Sequence, residues 1–143
     1  MQVAEIMTRD PEIVPSDIFL KDAALKMQQL DVGLLPISDG DRLVGMLTDR
    51  DITLRATAEG RDPTKTQVRE VMTPEVVYCF EDQDVSEAAK LMQEKQIRRL
   101  PILNREKRLV GIVSLGDVAV HSGAEKIVSE TIKGVSEPAE PKR

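Results

Sequence analysis

Apolar positions follow two rhythms along this chain, an alternating one and one of three-and-four spacing, and the same succession of the two is run through twice. The first pass opens with an apolar turn, Val3 to Met7 (VAEIM), and a short β-run, Glu12 to Val14. Leu20, Ala23, Ala24, Met27 and Leu30 then fall on one helix face. GLLPIS (Gly33 to Ser38) opens a strand with Pro at or near its edge. After a polar turn at Asp39 to Arg42, LVGMLTDRDI (Leu43 to Ile52) runs from an apolar strand into a helix start.

The second pass repeats each step. VREVM (Val68 to Met72) answers VAEIM, and Val76 to Phe80 supplies the β-run. Val85, Ala88, Ala89 and Met92 supply the helix face, RRLPIL (Arg98 to Leu103) the strand, and LVGIVSLGDV (Leu109 to Val118) the closing corner. Met72 answers Met7 at an offset of 65 and Leu109 answers Leu43 at 66, because the second polar turn, Asn104 to Arg108, is one residue longer. The pattern predicts two copies of one α+β unit: repeat 1 over 1–60, a polar, Pro-containing linker over 61–67, and repeat 2 over 68–123. An accessory helix with Ile127, Val128, Thr131 and Ile132 on one side is expected over 124–133, and a disordered tail over 134–143. The second copy of the first helix is the better capped, with Asp84 before Val85 and Glu87 next in the first turn, where Phe19 holds the equivalent place in the first.

Each closing corner carries a hydroxyl and, three residues on, an acid: Thr48 with Asp51, and Ser114 with Asp117. Two readings are open. Such a pair is a capping-box-like helix start and nothing more. Alternatively, a helix start offers unpaired N–H groups and a partial positive charge to a phosphate, while an ionised Asp accepts hydrogen bonds from a vicinal diol such as that of ribose. Two such corners, each beside a β-run, favour a nucleotide.

Composition narrows the rest. In 143 residues, two repeats must share one core, so one module is expected. A formal charge of −5 gives no global pull toward nucleic acid or an anionic membrane. No apolar run approaches the roughly 20 residues of a membrane span, and MQVAEIMTRD lacks the pattern of a signal peptide, so a cytoplasmic protein is expected. With one His (His121) and one Cys (Cys79), a multi-His zinc cluster is excluded and Ser-His or Cys-His catalysis finds little support. Cys79 reads as a buried strand thiol, and His121 as a partner of a helix C-terminus. No catalytic residue and no metal ligand is assigned. With two Phe, one Tyr and no Trp, the core must be aliphatic.

The doubled order of IMT or VMT, an Ala-Ala helix, LPI, and Leu-Val-Gly followed by two apolar residues and [ST]-x-x-D resembles a tandem pair of CBS domains over about residues 2 to 122. The resemblance implies two β-α-β-β-α repeats packed pseudo-symmetrically into one module, commonly a homodimer. It also implies a regulatory, non-enzymatic role in which adenosine-containing ligands (AMP, ADP, ATP, NAD(H) or S-adenosylmethionine) bind in two clefts between the repeats and signal to a separate effector protein.

Carried over by position, Asp51 and Asp117 match ribose-binding acids, and Thr48 and Ser114 the accompanying hydroxyls. Thr8 and Thr73, after the Met of each opening turn, join the candidate set. Ile97 and Arg98 would face the Asp51 site, and Val32 and Gly33 the Asp117 site. Arg98 and Arg99 match positions that meet phosphates. With Arg50 also near, the Asp51 cleft would take the more highly charged ligand and the Asp117 cleft a less charged one or none. The competing reading is a structural or protein-interaction dimer module with capped helices and empty clefts.

Overall fold

A computed structural model describes residues 1–121, so the accessory helix and tail expected at 124–143 lie outside the described residues. The chain divides into two compact units, and the division is not a simple cut in the middle. The first-repeat unit holds Glu12–Val77 with Lys107–Leu109; the second-repeat unit holds, of the described residues, Met1–Pro11, Tyr78–Glu106 and 110–121. The opening segment of each repeat therefore belongs to the unit of the other.

In the second-repeat unit the elements are β1 (Thr8–Arg9), β4 (Cys79–Phe80), α3 (Val85–Lys95), β5 (Arg99–Leu103), β6 (Leu109–Ser114, all but its first residue) and α4 (Leu115–His121). The strand order is β1-β6-β5-β4, with β1 antiparallel to β6 and β4 parallel to β5. In the first-repeat unit they are α1 (Leu20–Leu30), β2 (Leu34–Asp39), β3 (Arg42–Thr48) and α2 (Asp49–Asp51), which continues as a π-helix over Ile52–Thr57. Here β2 and β3 form an antiparallel hairpin with a bulge between Ile37 and Ser38. The places of β1 and β4 are taken by single contacts: Thr73 bridges Met46 of β3, and Ser38 N donates to Val14 O at 3.0 Å.

The β-run expected at Glu12 to Val14 is thus not a strand, and the one expected over Val76 to Phe80 shrinks to Cys79–Phe80. The two repeats differ here for a local reason. Glu81 N donates to the Leu103 carbonyl and extends the parallel pairing. In the first repeat Pro15 has no N–H to offer, and the next amide, Ser16 N, goes to the Asp39 carboxylate at 3.0 Å, which the Ser16 hydroxyl also engages.

Helix packing matches the apolar stripe in α3 and departs from it at two residues of α1. α3 buries Val85, Ala88, Ala89 and Met92 as the spacing predicts, whereas α1 buries only Leu20, Ala23 and Met27; Ala24 is exposed and Leu30 is 46% exposed. Around α1 the core gathers Val14, Leu35, Ile37, Leu47, Val68 and Val71, all aliphatic. Each such side chain, fully buried, contributes about 1.5–3 kcal/mol.

The two helices also start differently. Asp84 caps α3, its Oδ2 accepting from Ser86 N at 3.0 Å. Phe19 has no such oxygen, and the first amides of α1 turn instead to the segment expected as a linker: Leu20 N donates to Thr66 O and Lys21 N to Pro63 O. That segment is built for the task, since Asp62 accepts from Thr64 N and its hydroxyl, and Thr66, 6% exposed, bonds back to Asp62 O.

Each opening segment is a 3-10 turn with a reciprocal cap, Val3–Glu5 and Val68–Glu70. Gln2 N donates to Glu5 and Gln67 N to Glu70, each at 2.6 Å. The turn at Val3 is held by Gln83 O and the turn at Val68 by Ile18 O, just ahead of α3 and α1 respectively. The Met-Thr pair at the end of each opening segment accounts for the Gly of both Leu-Val-Gly motifs. A Cβ on Gly45 would sit 2.8 Å from Met72 Sδ and 2.9 Å from Thr73 O; one on Gly111 would sit 2.6 Å from Met7 Sδ and 3.0 Å from Thr8 O. The Met-Thr of one repeat is packed onto the Gly of the other.

Candidate functional site

Both corners fold as reciprocal caps. In the first-repeat unit, Thr48 ends β3 in extended backbone and its Oγ1 accepts from Asp51 N at 3.0 Å, while Asp51 Oδ2 accepts from Thr48 N at 3.0 Å. In the second-repeat unit, Ser114 Oγ accepts from Asp117 N at 3.0 Å and Asp117 Oδ2 accepts from Ser114 N at 2.8 Å. All four residues are half-buried. Of the two readings left open by the sequence, capping is therefore realised at both corners. It does not exhaust the carboxylates, which have about four lone-pair positions each, of which the cap takes one.

The first corner has a third member. Thr73, delivered by the second opening segment, directs its hydroxyl at Asp51, 3.3 Å from Oδ1 and 3.5 Å from Oδ2. Thr8 holds the matching place in the second-repeat unit, paired with Ile112 as Thr73 is with Met46. Arg50 is exposed on the first turn of α2, its N–H held by Asp49 Oδ1 at 2.8 Å.

The remaining candidates lie in the connections before β2 and β5. Val32 and Gly33 belong to the first-repeat unit with Thr48 and Asp51; Ile97, Arg98 and Arg99 belong to the second with Ser114 and Asp117. Val32 and Ile97 are half-buried, whereas Gly33, Arg98 and Arg99 are exposed. Each connection is tied to the corner after it by one backbone bond, Asp49 N to Gly33 O at 2.9 Å and Leu115 N to Arg98 O at 2.8 Å.

Sequence reasoning did not single out Asp49, which the structure places against Gly33. Its carboxylate lies so close to Gly33 that a Cβ there would fall 2.8 Å from Oδ2. The signal was present in the exchange of Gly-and-Asp in repeat 1 for Arg-and-Leu in repeat 2 at these two positions. Beside this pair a groove of about 490 Å³ opens in the first-repeat unit, lined by Ala24, Met27 and Gln28 of α1, by Asp31, and by Asp49 and Ile52. Its size falls in the range of small-molecule sites, roughly 300–1,000 Å³. Ala24, the residue that the apolar stripe placed in the core, is on its wall; the equivalent Ala89 is 1% exposed.

The chain belongs to the CBS domain family, whose model matches residues 3–56 and again 68–122. It is 41% identical over 134 residues to the CBS domain-containing protein YhcV of Bacillus subtilis, covering 94% of each chain. Among solved structures it is similar to Hypoxic Response Protein I with two coordinated zinc ions (TM-score 0.75, 38% identity, 85% of this chain and 98% of that one). It is also similar to the CBS domain pair of protein MJ0100 in complex with 5′-methylthioadenosine and S-adenosyl-L-methionine (TM-score 0.71, 30% identity, 87% and 98%). Among the described residues no group of three or more His, Cys, Asp or Glu side chains could hold a metal ion. Among the same residues no helix is long and apolar enough to cross a membrane.

Proposed function

We propose that this chain is a regulatory, non-enzymatic module that binds adenosine-containing ligands at its two strand-to-helix corners and passes on their occupancy through homodimer or effector contacts. The observation that carries this is the duplication of one geometry: a hydroxyl and a carboxylate locked to each other's backbone at Thr48–Asp51 and at Ser114–Asp117, each leaving carboxylate acceptor positions for a diol. The solved CBS pair holding 5′-methylthioadenosine and S-adenosyl-L-methionine supports the ligand class. AMP, ADP, ATP and NAD(H) belong to the same class by their shared adenosine. Arg50, Arg98 and Arg99 are the exposed cations available to phosphates, and Val32, Gly33, Ile97, Thr8 and Thr73 complete the proposed ligand-facing set.

A ligand moves such a module only through its differential affinity for two arrangements, so sensing requires that the occupied form differ in its dimer or partner contacts. The test is thermal denaturation against AMP, ADP, ATP, NAD, NADH, S-adenosylmethionine and 5′-methylthioadenosine. Ligand at about 100 times its Kd stabilises by roughly 2.7 kcal/mol. Silence across the panel overturns the proposal in favour of a structural dimer module, a reading favoured by the completeness of both caps.

A further inference from the structure

The β2–β3 hairpin turns at the one Asp-Gly step in the chain, Asp39–Gly40, in a sequence whose single Asn precedes Arg. Its two-residue loop is Gly40–Asp41, between the paired Asp39 and Arg42, and Gly40 has the left-handed φ of +64 that such a loop asks of its first residue. Asp39 and Gly40 are both exposed, and a Cβ on Gly40 would meet nothing within 4 Å. An Asp-Gly step is where an aspartyl residue rearranges most readily, because no side chain shields the next amide. Gly40 N attacks Asp39 Cγ, the N–Cγ bond forms, and the carboxyl OH leaves with the amide proton as water. A solvent water then adds at the Asp39 main-chain carbonyl and breaks its C–N bond, so that the chain continues through Cγ as isoaspartate with no change of mass.

Ser16 stands against this step. Asp39 Oδ1 accepts from Ser16 N and from Ser16 Oγ, each at 3.0 Å, and Oδ2 accepts from Ser16 Oγ at 3.0 Å, while Ser16 itself is 8% exposed. Whichever carboxyl oxygen leaves, a bond from Ser16 goes with it. The far side of the turn is held as well, by Leu109 N donating to Asp41 O at 2.7 Å. We infer that Asp39–Gly40 is the site of isoaspartate formation in this chain and that the Ser16 clamp sets its rate in the folded protein. Rearrangement puts an extra methylene into the main chain at the hairpin and withdraws the acceptor from Ser16 N, the first amide after Pro15. Repeat 2 carries Asn104 followed by Arg105 at the matching place and has no such step.

The experiment incubates the full chain at neutral pH, folded and in urea, and follows isoaspartate by peptide mapping with electron-transfer fragmentation, which separates the two isomers of equal mass. In urea, position 39 is expected to rearrange ahead of every other Asp, and folded wild type is expected to be about tenfold slower there or more. Ser16→Ala removes the hydroxyl and keeps the backbone N–H, and is expected to speed the folded reaction about three- to tenfold, the worth of one or two hydrogen bonds. Thr66→Ala is the control for general loosening: it removes a buried hydroxyl bond to Asp62 O of 2.8 Å elsewhere in the same unit and is expected to stay near the wild-type rate. A folded Ser16→Ala rate equal to wild type, or an equal rise in Thr66→Ala, overturns the role of the clamp. Isoaspartate arising first at another Asp in urea overturns the site.

Discussion

The Thr73 hydroxyl lies 3.3 Å from the Asp51 carboxylate, although 22 positions of sequence separate them. The contact exists because the second opening segment turns back onto β3, where Thr73 and Met46 exchange two backbone hydrogen bonds of 2.8 Å. Asp51 is therefore held from two sides, by the Thr48 amide and by Thr73, and its rotamer is fixed before any ligand arrives.

Asp51→Ala removes a cap and should cost about 1 kcal/mol, or roughly 3–5 °C in Tm. Asp51→Asn keeps an oxygen for Thr48 N and should melt within about 0.5 kcal/mol of wild type while losing ligand response at that corner. Scanning calorimetry with and without ligand checks both. Equal loss of response in Thr48→Ala, with Tm unchanged, would contradict the coupling of cap and site.

Gly45→Ala and Gly111→Ala should each destabilise by at least about 2 kcal/mol, since a methyl would strike a thioether and a backbone carbonyl together. Gly40→Ala is the control. Gly40 has open space around it and φ +64, so only the left-handed backbone penalty of about 1 kcal/mol applies. In a urea-denaturation double-mutant cycle, Met72→Ala should recover part of the Gly45→Ala loss, and Met7→Ala part of the Gly111→Ala loss.

Ser38 is wholly buried in β2, and its hydroxyl is the one buried side-chain polar atom without a hydrogen-bond partner among the described residues. Repeat 2 carries Leu103 at the same position. Ser38→Ala should leave stability unchanged or raise it by about 1 kcal/mol, because the orphaned hydroxyl costs desolvation and returns nothing. Chemical denaturation measures the sign.

Burial raises the Cys79 thiol to about 11, with the Glu87 charge adding to the shift, and the residue is 2% exposed. At pH 7.5 the native chain should resist iodoacetamide over hours and react in full once denatured, as read by mass spectrometry. Rapid native labelling would show that β4 opens readily.

Asp84 is lowered to about 2, first by the Ser86 hydroxyl, then by the Ser86 amide and the N-terminal ammonium. A depressed folded pKa means that this contribution is present above the unfolded value of about 3.9 and is lost as pH falls toward 2. The stability difference between wild type and Asp84→Asn should therefore be constant from pH 7 to about 5, shift against wild type as pH falls further, and level off only below about pH 2. Acid titration monitored by circular dichroism checks this.

Much of this was legible in the sequence. Doubling, α+β class and the hydroxyl–carboxylate corners come from local pattern, because periodicity and capping chemistry act within a few residues of one another. The exchange of opening segments was not legible, since nothing within VREVM says which Gly its Met will cover; only the recurrence of Met-Thr and Val-Gly in both repeats hints at it. Ala24 on the groove wall was missed because a helix stripe records which residues are apolar and not which of them a neighbour covers. Thr66 and Pro63 were read as linker because carbonyl caps leave no side-chain signature.

Because Thr8 pairs with Ile112 and Val3 with Gln83, the first opening segment has its partners about 80 to 104 positions further along the chain. About a hundred residues must leave the ribosome before that register closes, and such separations slow folding. The first half is likewise incomplete until Thr73 emerges. A nascent chain stalled midway thus exposes an unfilled slot beside Gly45, and a matching strand borrowed from another polypeptide is the nearest thing that fits.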